Sequence, residues 1–257
     1  MDVVLFYAGL LSTLVGLVSI LKPLRLVRIP TRGRGGAVLL VGVVVTATAA
    51  LLGAPPRRSD GRLGIDRFMP EYHFNEVHST RIRAPAQRIL EAAKAVTPAE
   101  VRFARTLMGI RSLPARLAGN APGEERLARP ILEPRSDGRS AVLVDDPREL
   151  LHGLVGQFWR PASSATSRPI HVTTADEFLA LERPDYAKAT INFVVAEEGD
   201  GWCRVTTETR VFTPDPETRR RFAVYWRLIY PGSSLLRRTW LAAIKRRAEA
   251  YGPSPLG

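Results

Sequence analysis

The chain has 257 residues and a formal net charge of +12, from 37 Lys and Arg against 25 Asp and Glu. That length allows one large domain or a domain with an appendage, and a single cysteine, Cys203, excludes an intrachain disulfide and a thiolate zinc cluster. The basic balance does not point to nucleic acid. Arg far outnumbers Lys and Ala is abundant, as a GC-rich genome produces, and no basic run interleaved with aromatics occurs.

Two apolar stretches open the chain, Val3 to Leu21 and Ala37 to Ala54, and neither carries a charge. At 1.5 Å per residue each approaches the roughly 30 Å of a bilayer's hydrocarbon core. The overall mean hydropathy of −0.05 therefore averages a greasy anchor with a polar remainder. A cleaved signal peptide is disfavoured, because Met1-Asp2-Val3-Val4 has no basic n-region and Leu21-Lys22-Pro23 is no cleavage site. Gly9, Gly16 and Gly42, with nearby Ser and Thr, suit close packing of two spans. Lys22, Arg25, Arg28, Arg32 and Arg34 lie in the hinge, and basic groups at membrane ends stay cytoplasmic. The expected topology is a cytoplasmic hinge in a bacterial plasma membrane, with the following domain extracytoplasmic. Arg57, Arg58, Arg62 and Arg67 pull the other way.

The Pro-, Gly- and Arg-rich segment after the second span reads as a juxtamembrane linker. This divides the chain into an anchor over 1–54, a linker over 55–70 and a domain over 71–252. Glu76 to Arg83 has a period-two strand pattern, and Pro85 then suits the first turn of a helix through Ile89, Leu90 and Ala93. Thr97 and Glu100 form a capping-box pattern that predicts a second helix through Met108. Gly119 to Arg139 reads as a loop. Ser140 to Val144 and Glu149 to Phe158 flank a turn at 145–148, a hairpin pattern, and Pro161 to Pro169 is another loop. Thr174 to Glu177 suits the start of a short helix ending at Leu181.

The clearest strand signal is Tyr186 to Ala196, alternating through Ile191, Phe193 and Val195. A turn at 198–201 leads to a return strand with Val205, Thr207, Thr209 and Val211 on one face. Arg204, Thr206, Glu208 and Arg210 alternate on the other, which reads as a wet face carrying a solvated ion network. Asp215-Pro216 opens a helix carrying Phe222, Tyr225 and Trp226, which Pro231-Gly232-Ser233 is expected to break. A second helix follows with Leu236, Trp240 and Ile244, and Arg237, Arg238, Lys245, Arg246 and Arg247 read as its solvated face. The order defines an α+β class, an antiparallel sheet wrapped on a C-terminal helix and preceded by a transmembrane helical hairpin.

Motif chemistry is sparse. His73, His78, His152 and His171 match no metal-ligand spacing, and no HExxH, G-x-S-x-G, P-loop or dinucleotide fingerprint occurs. No metal, cofactor or nucleic acid is expected. His78 reads as a partly exposed strand residue, and catalysis at Glu208 is disfavoured by its arginine neighbours.

EVHSTRIRAPAQRIL, YAKATINFVVAEEGDGWCRVTTETRVF and RRFAVYWRLIYPGSSLLRRTWLAAIKRRAEA together resemble the START-like, or SRPBCC, helix-grip superfamily. That superfamily includes the birch-pollen allergen and polyketide cyclase/dehydratase-like proteins. The resemblance covers about residues 72–250 and lacks a catalytic signature; an interruption at Pro231 departs from the single long helix of the family. It implies a hydrophobic cavity between sheet and helix for a lipid, sterol or polyketide-like molecule. Phe158, Trp159, Phe193, Phe222, Tyr225, Trp226 and Trp240 are the candidate lining, with His78, Thr207, Thr209 and Tyr225 as polar contacts. The leading reading is membrane-tethered binding or shuttling of a hydrophobic small molecule or lipid, with the bilayer itself as partner. The alternatives are a cyclase/dehydratase-like enzyme using His78, or a non-catalytic interaction module at the membrane.

Overall fold

The computed structural model describes residues 2–23, 29–51, 55–59, 61, 64–109, 128–134, 137–160 and 170–250. The hinge arginines Arg25 and Arg28, the linker residue Arg62, the loop residues 119–127 and the Ser-rich segment 161–169 lie outside them. The chain divides into two compact units, one of residues 1–55 with 219–230, the other of 56–218 with 231–257.

In the first unit, α1 (Asp2–Leu21) and α2 (Arg32–Leu51) form an antiparallel pair, both long and apolar enough to cross a membrane. α2 begins at Arg32, ahead of its apolar run, because the Thr31 hydroxyl accepts from the Arg34 amide at 3.3 Å. The expected glycines set the helix separation. A Cβ on Gly9 would lie 2.7 Å from the Thr46 amide, and one on Gly42 would lie 2.7 Å from Thr13 Oγ1. At Gly16 it would meet the backbone of Leu39 itself. Only glycine admits these approaches. Residues 219–230 of the C-terminal helix belong to this unit, tied by the Tyr7 hydroxyl, which donates to the Arg227 carbonyl, and by the Arg227 guanidinium 5.9 Å from the Phe6 ring centroid.

The second unit begins with β1 (Arg57–Arg58), α3 (Gly64–Phe68) and β2 (Glu71–Tyr72), which pairs with β1. Part of the segment read as linker is regular structure. Ile65, Phe68 and Met69 are buried in a core shared with Phe178 and Tyr186, because the Pro/Gly composition hides an apolar triplet. β3 (Phe74–Ile82) leads to α4 (Ala86–Ala95), which buries Ile89, Leu90 and Ala93. Glu100 does reach back to the Thr97 amide at 3.0 Å, yet no regular helix starts there. Successive turns fill 98–103, Phe103 sits at φ 66°, and helical structure resumes only over 104–109. A capping box secures the first turn but not the residues beyond it.

β4 (Ser140–Asp145) and β5 (Glu149–Gly156) form the expected hairpin, closed by Asp146, whose carboxylate accepts from the Arg148 and Glu149 amides. α5 (Ala175–Ala180) is opened by a complete capping box between Thr174 and Glu177. β6 (Ala187–Gly199) and β7 (Trp202–Phe212) complete an antiparallel sheet of order β3-β7-β6-β5-β4.

α6 (Pro216–Ala250) follows as one 35-residue helix. The break expected at Pro231 does not occur. Proline removes one backbone donor and leaves the carbonyl four residues earlier without its helical partner. That carbonyl belongs to Arg227, and the Tyr7 hydroxyl supplies the missing donor.

The sheet of the second unit is covered on both faces. Against one, α4 and the 231–250 part of α6 enclose Ile82, Leu150, Phe193, Val205, Trp240 and Ile244. Against the other lie α3, α5 and Val172. The wet face expected on β7 is thus dry at one end.

Candidate functional site

Strand register decides which polar side chains face α6. Glu76 stands opposite Thr209 and His78 opposite Thr207, while Ile191 and Phe193 flank the two threonines from β6. Because strand side chains alternate, these residues share the face of Phe193 and Val205 that meets α6. Toward Ile244 this seam is packed with apolar side chains. Toward Ser233 it is polar.

Glu76 is buried and fully engaged. His78 Nε2 lies 2.8 Å from its Oε1, and Ser233 Oγ donates to its Oε2 at 2.7 Å. Ser234 Oγ is 3.5 Å from the same His78 Nε2. A serine nucleophile needs its base to accept on one ring nitrogen while the acid orients the other. Here both contacts converge on one nitrogen, so that relay is not assembled. What exists is a histidine held by a buried carboxylate.

One turn beyond Ser233, Arg237 is also buried, and its Nη1 has no hydrogen-bond partner. Its guanidinium carbon lies 5.3 Å from the Trp240 ring centroid, and Phe193 meets that indole edge-on at 5.0 Å. Burial pushes the guanidinium down to about 10 while the charge of Glu76 pulls it up, so it stays charged at neutral pH. Among the described residues, six buried side-chain polar atoms lack a hydrogen bond. Four of these, Thr207 Oγ1, Thr209 Oγ1, Arg237 Nη1 and Trp240 Nε1, belong to this one seam. Such atoms are rare in folded proteins, because each leaves a desolvation penalty of about 1–3 kcal/mol uncompensated. Two thirds of the unmet buried polar atoms among the described residues therefore fall in one place.

Five residues read from the sequence as ligand contacts come together here: His78, Phe193, Thr207, Thr209 and Trp240. Phe222, Tyr225 and Trp226 lie in the first unit instead, Phe222 at 5.6 Å from Tyr225 and 5.8 Å from Trp226. Phe158 and Trp159 form the half-buried turn after β5, with Phe158 against Gly156. His78 is partly exposed, as expected, but its side chain is only 12% exposed and is bonded to Glu76. Glu76, Ser233, Ser234 and Arg237 were missed. Glu76 shares the period of His78, and Arg237 stands on the Ser233-Trp240-Ile244 stripe, so the signal was periodicity outweighed by charge.

The rest of the basic face on α6 is exposed or paired outward. Lys245 donates to the Arg81 carbonyl at 3.0 Å, and Arg246 and Arg247 reach Glu100. His152 shares the α6 side of the sheet, opposite Ile191. Burial pushes its imidazole below the ordinary value, Asp145 opposes this, and Lys94 adds to it. Among the described residues, no three His, Cys, Asp or Glu side chains gather as a metal site.

On the opposite face, the ion network expected in solvent is buried. Arg210 donates to Asp66 at 2.5 Å, to Glu208 at 2.8 Å and to the Met69 carbonyl at 3.2 Å. Burial lowers its pKa, but Glu208 and Asp66 outweigh that and raise it. Asn192 accepts from the Glu208 amide and donates to Glu149, whose other oxygen accepts from the Gly64 amide. The network clamps α3 to the sheet, a structural role. A surface pocket of about 410 Å³ opens beside it, lined by Arg183, Tyr186, Lys188 and Phe212. The Lys188 ammonium there is already shared between the Leu179 and Leu181 carbonyls.

The fold is α+β, of helix-grip form: an antiparallel five-stranded sheet with the 231–250 part of a long C-terminal helix against one face, and, in the first unit, two apolar N-terminal helices. No protein-family model and no curated protein matches the chain. Two solved structures are similar over 70% of it. TTHA0849 from Thermus thermophilus has 13% identity, is covered over its whole length and gives a TM-score of 0.28. The ZhuI aromatase/cyclase from Streptomyces sp. R1128 has 11% identity, 99% coverage and a TM-score of 0.26. Likeness at that level carries no argument about function.

Proposed function

We propose that this protein is a membrane-tethered binding domain for a hydrophobic small molecule or lipid, held between the sheet and α6. The observation that carries the reading is the group of four unpartnered buried polar atoms beside the apolar side chains of Phe193, Ile191 and Trp240. Apolar walls with a few convergent polar groups are the usual composition of a small-molecule site. The tether is supported by two helices long and apolar enough to span a bilayer, packed through glycines as membrane helices pack. It keeps the binding domain beside the membrane into which an apolar ligand partitions.

The test is native mass spectrometry of the full chain, released from its own membrane in a mild detergent. A co-purifying apolar mass that survives removal of bulk lipid is the expected result, and bare chain in every preparation refutes the reading. A second reading, a cyclase/dehydratase-like enzyme, is favoured by the Glu76-oriented His78 inside the seam. It predicts two bound masses differing by one water, with only the heavier one in His78→Ala.

The extracytoplasmic orientation is tested with Ala242→Cys, an exposed position on α6. Cys203 is buried and burial raises its thiol pKa, with Glu197 and Glu198 adding to the rise, so it stays silent. Labelling of Ala242→Cys by a membrane-impermeant maleimide in intact cells is expected. Labelling only after lysis reverses the topology.

A further inference from the structure

The donors left over in the seam specify what it receives. Arg237 and Trp240 can only donate, and both threonine hydroxyls are free to donate. The nearby acid does not meet them: Glu76 bonds His78 and Ser233, and it forms neither a hydrogen bond nor an ion pair with Arg237. The cation therefore sits buried with one electrostatic counterweight, beyond ion-pair reach, and an aromatic ring for company. A wholly apolar ligand would leave all four donors unpaired, and a cationic ligand would add a second like charge. Exposed arginines elsewhere on α6, such as Arg238, meet water and need no partner.

Resting on the binding function proposed above, we infer that the ligand is acidic: an apolar body ending in a carboxylate or phosphate, whose anionic oxygens pair with Arg237 Nη1. The Thr207 and Thr209 hydroxyls and the Trp240 N–H supply further donors along the same seam. Charge-assisted bonds from a guanidinium to such oxygens are among the strongest available in a protein interior. Ile191, Phe193 and Leu236 flank the donors and suit the apolar body. A neutral alcohol or ester of the same length would fill the apolar part and leave the guanidinium short of its anion.

Full-length chain in phosphatidylcholine nanodiscs is exposed to three photoactivatable probes that share one mid-chain diazirine and alkyl length. One ends in a carboxylic acid, one in a phosphate monoester and one in an alcohol. Crosslinks are mapped by peptide mass spectrometry, which separates labelling of β7 and α6 from labelling of α1 and α2 by bilayer-dissolved probe. At least one acidic probe is expected to label β7 or α6 with about tenfold preference over the alcohol, and the better one names the headgroup. Arg237→Gln should abolish that preference while alcohol labelling persists, and Arg238→Gln should leave it intact. Equal labelling by all three probes overturns the inference but leaves an apolar ligand in place. So does a preference that survives Arg237→Gln. Absence of any β7 or α6 label sinks the binding function itself. Should Arg237→Gln fail to fold, the wild-type acid-to-alcohol ratio alone still decides.

Discussion

Tyr7 and Pro231 offer the sharpest test of how α6 continues through its proline. Tyr7→Phe deletes one hydroxyl and nothing else, and that hydroxyl donates to the Arg227 carbonyl. In an uninterrupted helix that carbonyl would receive the amide of residue 231, which proline lacks. Arg227 is only 3% exposed, so water does not readily replace the lost donor. Loss of a hydrogen bond to a buried acceptor costs about 1–3 kcal/mol, which lowers the apparent melting temperature by about 2–4 °C per kcal/mol at this chain length. The same change in a Pro231→Ala background should be nearly silent, because alanine restores the amide. The assay is a double-mutant cycle on full-length protein in detergent, read by helical circular dichroism during heating. A coupling of about 1–2 kcal/mol is expected between two residues 224 positions apart in sequence. Equal effects of Tyr7→Phe in both backgrounds would show that the hydroxyl does not replace the proline's missing donor.

Three other outcomes follow from the same structure. Arg210→Met strands the carboxylates of Asp66 and Glu208 in the interior, a loss of about 3–5 kcal/mol; Arg204→Met, on the same strand but with its side chain 49% exposed, should cost under about 1 kcal/mol. Urea midpoints that fall equally for both would show that the buried network is not one. Gly16→Leu forces its side chain into the Leu39 backbone and should destabilise the hairpin by about 1–3 kcal/mol in detergent titrations, whereas Gly33→Ala meets nothing within 4 Å and should be neutral. His152 has its pKa lowered chiefly by burial, so the folded state binds a proton less readily than the unfolded chain. Its contribution is complete above the unfolded value of about 6.5 and is lost as pH falls through the folded one. His152→Gln should flatten that part of the fall in melting temperature between about pH 7 and pH 5; an unchanged slope would assign it elsewhere.

Local signals were legible wherever a residue's neighbours in sequence decide its state. Two apolar N-terminal helices, the Asp146 turn, the short helix after Thr174 and the β6–β7 hairpin all form as their sequences imply. Each depends on periodicity, a cap or a turn within a few residues. The glycines of the hairpin were legible too, because a missing side chain can be read as a close approach before the partner is known.

Other features depended on partners far along the chain. Residues 64–69 looked like linker until Phe178 and Tyr186, over a hundred positions later, gave Ile65 and Met69 somewhere to bury. Glu208 and Arg210 looked solvated because alternation cannot say whether α3 returns to cover that face. Arg237 looked like one more basic group on a wet helix face; only the packing of α6 on β7 leaves its Nη1 unpartnered beside Trp240. Pro231 looked like a helix break because the donor that completes its turn sits on α1. Sequence alone determined most of the strands and helices and the α+β class, since backbone preference and hydrophobic period are local. Tertiary structure decided which charges are buried and which donors go unmet, because desolvation is set by whatever distant segment folds over them.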